Sequence, residues 1–208
     1  MENSYTFNKI YPVNVAFIGE SGVGKTSIIN RLQGKKFEQN TIATVQPYVS
    51  TFKFSNEENI PNSEIKINLW DTMGQERFRS LCANPIKRAD IIIFVRDDRD
   101  ENFEGEKGWI KFVKNLVDLE LKIVIYCLNK TDLISEEKKE IIYEKFGNEA
   151  SKINAFPQFI SSKTSDGFYN LKSLIKKKAL DLVLEEIKCH NYEISIFFVG
   201  ISGAGKPV

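Results

Sequence analysis

The stretch Gly19–Thr26, reading GESGVGKT, limits what this chain can fold into more than any other. It meets G-x-x-x-x-G-K-[ST] at every fixed position. Before it, Val13, Val15, Phe17 and Ile18 form a short β-rich apolar run; after it, Ile28, Ile29 and Leu32 recur at helical spacing, with Gly34 as a stop. A buried strand that turns into a helix through a glycine-rich loop aims backbone N–H groups and the positive helix end at an anion. Lys25 adds a point charge for phosphate, and the Thr26 hydroxyl suits Mg²⁺. A plain glycine-rich turn is the other reading of these letters, and the flanking strand and helix argue against it.

Further along, strands and helices alternate. Val49–Phe54 and Ile65–Trp70 alternate in polarity, and the polar stretch Ser55–Ser63, with Pro61, reads as a long hairpin loop between antiparallel neighbours. Ile91–Val95 and Ile123–Leu128 are continuous apolar runs, the pattern of strands buried on both faces. Phe156–Ile160 is a further short strand. Glu104–Asp118, Ser135–Phe146 with Ser135 as N-cap, and Asp166–Lys188 have helical spacing. This order predicts an α/β fold of three layers, a mostly parallel sheet with helices on both faces. With 42% hydrophobic and 27% charged residues, the 208-residue chain has the balance of a globular protein with its own core, not of a disordered one.

The phosphate loop alone does not choose between ATP and GTP. Asn129–Lys130–Thr131–Asp132 does, at the end of the strand Ile123–Leu128, where ligands of such sheets bind. The Asp132 carboxylate accepts two hydrogen bonds from the ring N–H and exocyclic amine of guanine, a pair that adenine does not offer. Lys130 can lie along the base and Asn129 can brace the loop. Ser161, Ser162 and Lys163, after the next strand, offer backbone amides to the base carbonyl. An ordinary polar loop can match N-K-x-D by itself; its order after Gly19–Thr26 makes it specific.

Trp70–Asp71–Thr72–Met73–Gly74–Gln75–Glu76–Arg77–Phe78 nearly reproduces the W-D-T-x-G-Q-E-R-F run of the Rab branch of the Ras superfamily. From Val13 to about Lys188 the chain resembles that superfamily. The resemblance implies a P-loop NTPase fold with a six-stranded, mostly parallel sheet and five helices. It implies GTP or GDP with Mg²⁺, slow hydrolysis of GTP to GDP and phosphate, and a switch role in trafficking or signalling. Effector, exchange-factor and activating proteins would read the switch segments. On that resemblance Glu20, Ser21, Gly22, Val23, Gly24, Lys25, Thr26 and Ser27 cradle the nucleotide. Asp71 holds Mg²⁺ through a water, the Gly74 amide senses the γ-phosphate, and Gln75 orients the attacking water. Thr44 stands eighteen residues after Thr26, the family spacing for the switch threonine on Mg²⁺. Thr41 is its rival, because Thr41–Ile42–Ala43 resembles the family's T-I-G; spacing favours Thr44. Phe37 falls where the family sets an aromatic ring against guanine, with simple packing as the alternative.

There are departures. T-I-G becomes Thr44–Val45–Gln46. Of the aromatic triad that Rabs display to partners only Trp70 remains, Val49 and Pro85 replacing Phe and Tyr. The loop Ser55–Ser63 is long for the family. The altered triad, with the tail repeat and the missing lipid site described below, favours a second class, a GTP-binding scaffold in which nucleotide is a folding ligand; Gln75, Thr44 and Asp71 favour the switch.

Residues 1–188 thus read as one GTPase-like domain. In the tail, Ile194–Gly205, ISIFFVGISGAG, parallels Val13–Gly24, VNVAFIGESGVG. Pro207 stands where Ser or Thr would meet Mg²⁺, and proline also disfavours helical entry at Lys206. Residues 189–208 are expected to resemble the start of a second such domain, a strand with a degenerate loop. The tail should bind no nucleotide and should pack on the first domain or on another chain through its strand edge. Net charge is +1, so no nucleic-acid partner is expected, and Lys176–Lys177–Lys178 reads as the solvated face of a helix. Cys82, Cys127 and Cys189 have no metal or disulfide spacing, Cys127 reads as core, and the sole histidine, His190, has no nearby ligand partner. A cytoplasmic location follows as the expectation, peripheral to membranes or an assembly through partners. Lys206–Pro207–Val208 carries no terminal cysteine for prenylation, so no lipid anchor is expected in this chain.

Overall fold

A computed structural model describes residues 9–39, 44, 46–99 and 104–202, with 104–106 and 191–202 described by backbone alone. Six strands form one sheet in the order β2-β3-β1-β4-β5-β6. They are β1 (Lys9–Ile18), β2 (Tyr48–Ser55), β3 (Ser63–Asp71), β4 (Ile91–Arg96), β5 (Ile123–Leu128) and β6 (Phe156–Phe159). Only β2 runs antiparallel, against β3; every other pair is parallel. Five α-helices are described, α1 (Lys25–Leu32), α2 (Ala83–Arg88), α3 (Glu104–Lys114), α4 (Glu136–Ser151) and α5 (Phe168–Ser202). The three-layer expectation is met.

Strand alternation sorts the core into two layers. Val13, Val15 and Phe17 of β1, with Ile91, Ile93 and Val95 of β4, pack on Ile28, Ile29 and Leu32 of α1 and Leu171, Ile175, Ala179 and Val183 of α5. Ala16, Ile18, Ile92 and Phe94 point the other way, to Ile86 of α2, Trp109 and Val113 of α3, and Phe146 and Ala150 of α4. Cys127 is fully buried in the first layer, as its apolar run implied. The Ser55–Ser63 loop is ordered by its own contacts: Ile60 is buried in the first layer, and Asn56 Oδ1 accepts from the backbone and side-chain nitrogens of Asn59.

β1 has β3 on one side and β4 on the other, so the chain reverses its direction of growth across β1. The loop after β1 therefore opens into the crevice of a topological switch point, where open α/β sheets bind ligands.

Two expectations need correction. The Lys176–Lys178 run is not merely solvated: Lys176 lies over the Phe54 ring, 5.0 Å from its centroid, and Lys178 over Phe156 at 4.4 Å. Aliphatic stems and cation–π contact let lysine cover apolar edges of the sheet. The tail also differs. The backbone of 191–202 continues α5 and forms no strand, and Gly203–Val208 lies outside the described residues. A strand needs a neighbour for its backbone groups, whereas a helix that continues from α5 satisfies its own with no new nucleation cost. Pairing through a tail strand edge is therefore withdrawn.

Leu171 is fully buried in the first apolar layer, while Tyr169, two residues earlier, is 85% exposed. Leu171→Ala is expected to cost about 2–5 kcal/mol in urea unfolding followed by circular dichroism, and Tyr169→Ala to stay within about 0.5 kcal/mol.

Candidate nucleotide site

A cavity of about 600 Å³ opens at the C-terminal ends of the strands. Its walls come from the loops after β1, β3, β5 and β6 and from the segment after α1. Of the residues expected from sequence, Ser21, Gly22, Gly24, Lys25, Thr26, Ser27, Phe37, Thr44, Gly74, Gln75, Asn129, Lys130, Asp132, Ser162 and Lys163 line it. Glu20 and Val23 do not line it; they line a smaller neighbouring cavity together with Asp97 and Arg99. Asp71 stands behind Thr26, and Ser161 behind Asp132.

The phosphate end is built by α1. Gly24 caps it with φ +97°, a left-handed conformation in which a side chain would be strained and would also collide with the Asn129 amide. Lys25 is buried, and its Nζ donates to the carbonyls of Gly19 at 2.7 Å and Glu20 at 2.9 Å. An ammonium has three donors, so one is left for a phosphate oxygen. Burial draws the Lys25 pKa down to about 8 against the opposing charges of Asp71 and Glu20.

Asp71 ends β3 on the face that carries Ile65, Ile67 and Leu69, which turns it toward α1. Its Oδ2 accepts from Thr26 Oγ1 at 2.6 Å and from Thr44 Oγ1 at 3.4 Å, and the two hydroxyls are 3.2 Å apart. The buried Oδ1 of Asp71 has no hydrogen-bond partner. Two hydroxyls and an unsatisfied carboxylate oxygen suit a hard divalent cation such as Mg²⁺. Burial pushes the Asp71 carboxyl above its ordinary value, although the Thr26 hydrogen bond and Lys25 oppose it. Tyr48 pairs with Asp71 across β2 and β3, and burial together with the Asp71 charge pushes its phenol up to about 12. Thr44 is thus the threonine at this cluster, while Thr41 lies outside the described residues.

At the other end, Asn129 is buried and uses both ends of its amide. Nδ2 donates to the Val23 carbonyl at 2.9 Å, and Oδ1 accepts from the Ser162 N–H and Oγ at 3.1 Å each. Asp132 Oδ1 accepts from Ser161 Oγ at 2.6 Å. Lys130, in a left-handed conformation at φ 64°, stretches its Nζ to the Gly22 carbonyl at 2.6 Å and to Asp97 at 2.7 Å. Phe37 is half-buried on the cavity wall and belongs to neither apolar layer, which favours the ring-against-base role over packing.

After β3, Gly74 presses on the phosphate loop: a Cβ there would stand 2.5 Å from the Glu20 carbonyl carbon and the Ser21 nitrogen. Gln75 Oε1 accepts from Arg77 Nε at 2.9 Å. Arg79 reaches Glu20 at 3.5 Å and lies 4.7 Å from the Trp109 ring centroid, tying this segment to the phosphate loop and to α3. Val49 is exposed on β2 and Pro85 is buried in α2, so of the two replaced triad positions only the first meets solvent.

Sequence reading missed Asp97 and Arg99. Burial drives Asp97 up, but Arg99 and Lys130 outweigh it and hold the carboxyl below its usual range. Arg99 Nη2 also lies 3.5 Å from the Ser21 carbonyl. The available signal was position: both follow β4, at the same C-terminal end of the strands as the other loops.

Residues 14–132, more than half of the chain, match the family described as Roc, Ras of Complex, domain of DAPkinase. The match runs from β1 through Asp132 and so spans the phosphate loop, Thr44, the Asp71–Gln75 segment and N-K-x-D.

Three outcomes are expected. Phosphate oxygens favour charged Lys25, so the complex keeps a proton that the free protein gives up above about pH 8. GDP affinity should then be full below pH 8 and fall as pH rises to 9, by no more than about tenfold per pH unit, while Lys25→Ala binds weakly with a flat profile. The free fold carries the same linkage: the unfolded chain holds more protons between about 8 and 10.5, so ligand-free stability rises with pH across that window. Asp132→Asn should shift preference from guanosine to xanthosine diphosphate in competition titrations. A variant that binds guanosine diphosphate as before and rejects the xanthosine form rules Asp132 out as the base reader.

Proposed function

Because the chain belongs to the Roc family, a Ras-like GTPase domain family, we propose that it is a GTP-controlled switch with slow, Mg²⁺-dependent hydrolysis. The observation that carries this reading is the meeting of Thr26, Thr44 and Asp71. Thr44 comes from a different segment, and its hydroxyl arrives within 3.2 Å of Thr26 and 3.4 Å of the Asp71 carboxylate. A loop held at that point responds to whether a γ-phosphate and a cation are there, which is how a switch segment is ordered and released.

Thr26 and Thr44 would hold Mg²⁺ directly and Asp71 through a water; the ion would neutralise charge developing on the phosphates. Lys25, braced by the Gly19 and Glu20 carbonyls, holds the phosphate chain against the α1 N-terminus. Asp132 selects guanine, and Phe37 and Lys130 flank it. Gln75 orients the attacking water. Its oxygen is engaged by Arg77 in this arrangement, which favours slow intrinsic turnover. No arginine occurs from Lys36 to Ser50, so an activating partner is expected to supply one, worth about 10³–10⁵ in rate.

The run Trp70–Phe78 suggests a Rab-like switch surface for effectors and exchange factors, in trafficking or signalling at cytoplasmic faces. Among the described residues no helix is long and apolar enough to cross a membrane. The tail's likeness to the first loop remains one of sequence, and Pro207 in place of the magnesium-binding hydroxyl leaves one nucleotide per chain. The buried Pro85 favours the second reading, a scaffold in which nucleotide supports the fold, because it removes a display residue of the Rab triad.

Gln75→Leu separates these. Under the switch reading it keeps GTP affinity and loses most hydrolysis in single-turnover kinetics. Turnover unchanged by that substitution sinks the switch reading and leaves the scaffold.

A further inference from the structure

Arg31 lies on α1, six residues past Lys25, and its guanidinium reaches across the fold to the loop after β6. Its Nε donates to the Ser162 carbonyl at 2.7 Å and its Nη2 to the Lys163 carbonyl at 2.9 Å, partners 131 and 132 residues away in sequence. Both are main-chain oxygens, and among the described residues Arg31 has no carboxylate partner. We propose that Arg31 is a positioning residue for guanine: its two-pronged grip on the Ser162 and Lys163 carbonyls fixes the Lys163 amide that reads the 6-oxo group of the base.

In a trans peptide the C=O and the following N–H point in opposite directions. Drawing the Ser162 carbonyl toward α1 therefore turns the Lys163 N–H away from it, and drawing the Lys163 carbonyl locks the next plane as well. Ser162 and Lys163 both line the cavity. Asn129 holds the same loop from the opposite side, accepting from the Ser162 N–H and hydroxyl. Ser161 ties it to Asp132 through a 2.6 Å hydrogen bond and to Asp166 through its N–H at 3.1 Å. Against these bonds Arg31 supplies the only side-chain donors to the two carbonyls among the described residues. A guanidinium presents its donors in a rigid fork, so it spans two adjacent carbonyls where an ammonium meets them one at a time. Because those donors are charged, the two bonds are stronger than neutral ones.

This proposal rests on the guanine reading above, and the test keeps the two apart by comparing GDP with inosine, 6-thioguanosine and adenosine diphosphates. Inosine diphosphate retains the 6-oxo group and lacks the amine that Asp132 reads. 6-Thioguanosine diphosphate retains everything Asp132 reads and puts a weakly accepting sulfur in place of the oxygen. In wild-type protein GDP should outcompete both. Arg31→Ala should bind GDP more weakly and lose about tenfold of its preference for GDP over the thio analogue, while the GDP-over-inosine ratio stays within about twofold. Arg31→Lys, which keeps the charge and most of the packing, should fold like wild type and still lose most of the thio discrimination. Lys172→Ala, which removes the donor to the Leu32 carbonyl of the same helix, should leave both ratios unchanged. An Arg31→Lys protein with full preference for GDP over the thio analogue overturns the proposal. So does an Arg31→Ala protein whose two ratios fall together, the mark of a general loss of fold. Wild-type protein with no preference for GDP over ADP overturns the guanine reading itself, and Arg31's role with it.

Discussion

The Asn129 side chain is the tie on which the rest of the site depends. The loops after β1, β5 and β6 leave the sheet at the C-terminal ends of its strands with no regular pairing between them. One buried amide joins all three, donating to Val23 and accepting from Ser162 while it sits on the β5 loop itself. A buried amide left unsatisfied at either end costs about 1–3 kcal/mol, so the three loops hold one mutual arrangement. Gly24 is glycine for the same reason, since a larger residue would occupy the place of the Asn129 nitrogen.

Charge follows the same plan. Lys25 and Asp71 are both buried, and both are shifted toward their neutral forms. Such groups are costly without compensation. Phosphate and cation together would restore both charges, so the pocket is electrostatically incomplete in a way that matches one kind of ligand. Asp97 is the contrast: it meets two cations from the protein itself and stays ionised, which makes it part of the frame around Lys130.

Much of this was readable in the letters. The phosphate loop, Asp71–Gln75 and Asn129–Asp132 are contiguous motifs whose chemistry is set by local spacing, and Ile91–Val95 and Ile123–Leu128 declared themselves as strands by apolar content. Helix α2 and the 3-10 turn Glu76–Cys82 before it carry no clear period, because this segment follows tertiary packing of Cys82 and Ile86 into the second apolar layer. Asp97 and Arg31 were illegible for a different reason. Each acts on a loop far away in sequence, and neither has a motif of its own. The tail shows the opposite failure: Ile194–Gly205 matches the first strand and loop by letter, but resemblance supplies no neighbouring strand, and α5 runs on through Ser202.

Helix α1 has a consequence of its own. Lys25 at its start faces the phosphate end, and Arg31 near its finish grips the base end. Six residues of α-helix separate them by about 9 Å, a rigid length that no side-chain adjustment alters. The helix is therefore a gauge of ligand size as well as an anion site: it sets how far apart a phosphate chain and a purine must be. Inserting one residue into α1 would lengthen that gauge by about 1.5 Å and rotate its far end by about 100°. Such a change would uncouple the two ends of the pocket while leaving each motif intact in the sequence.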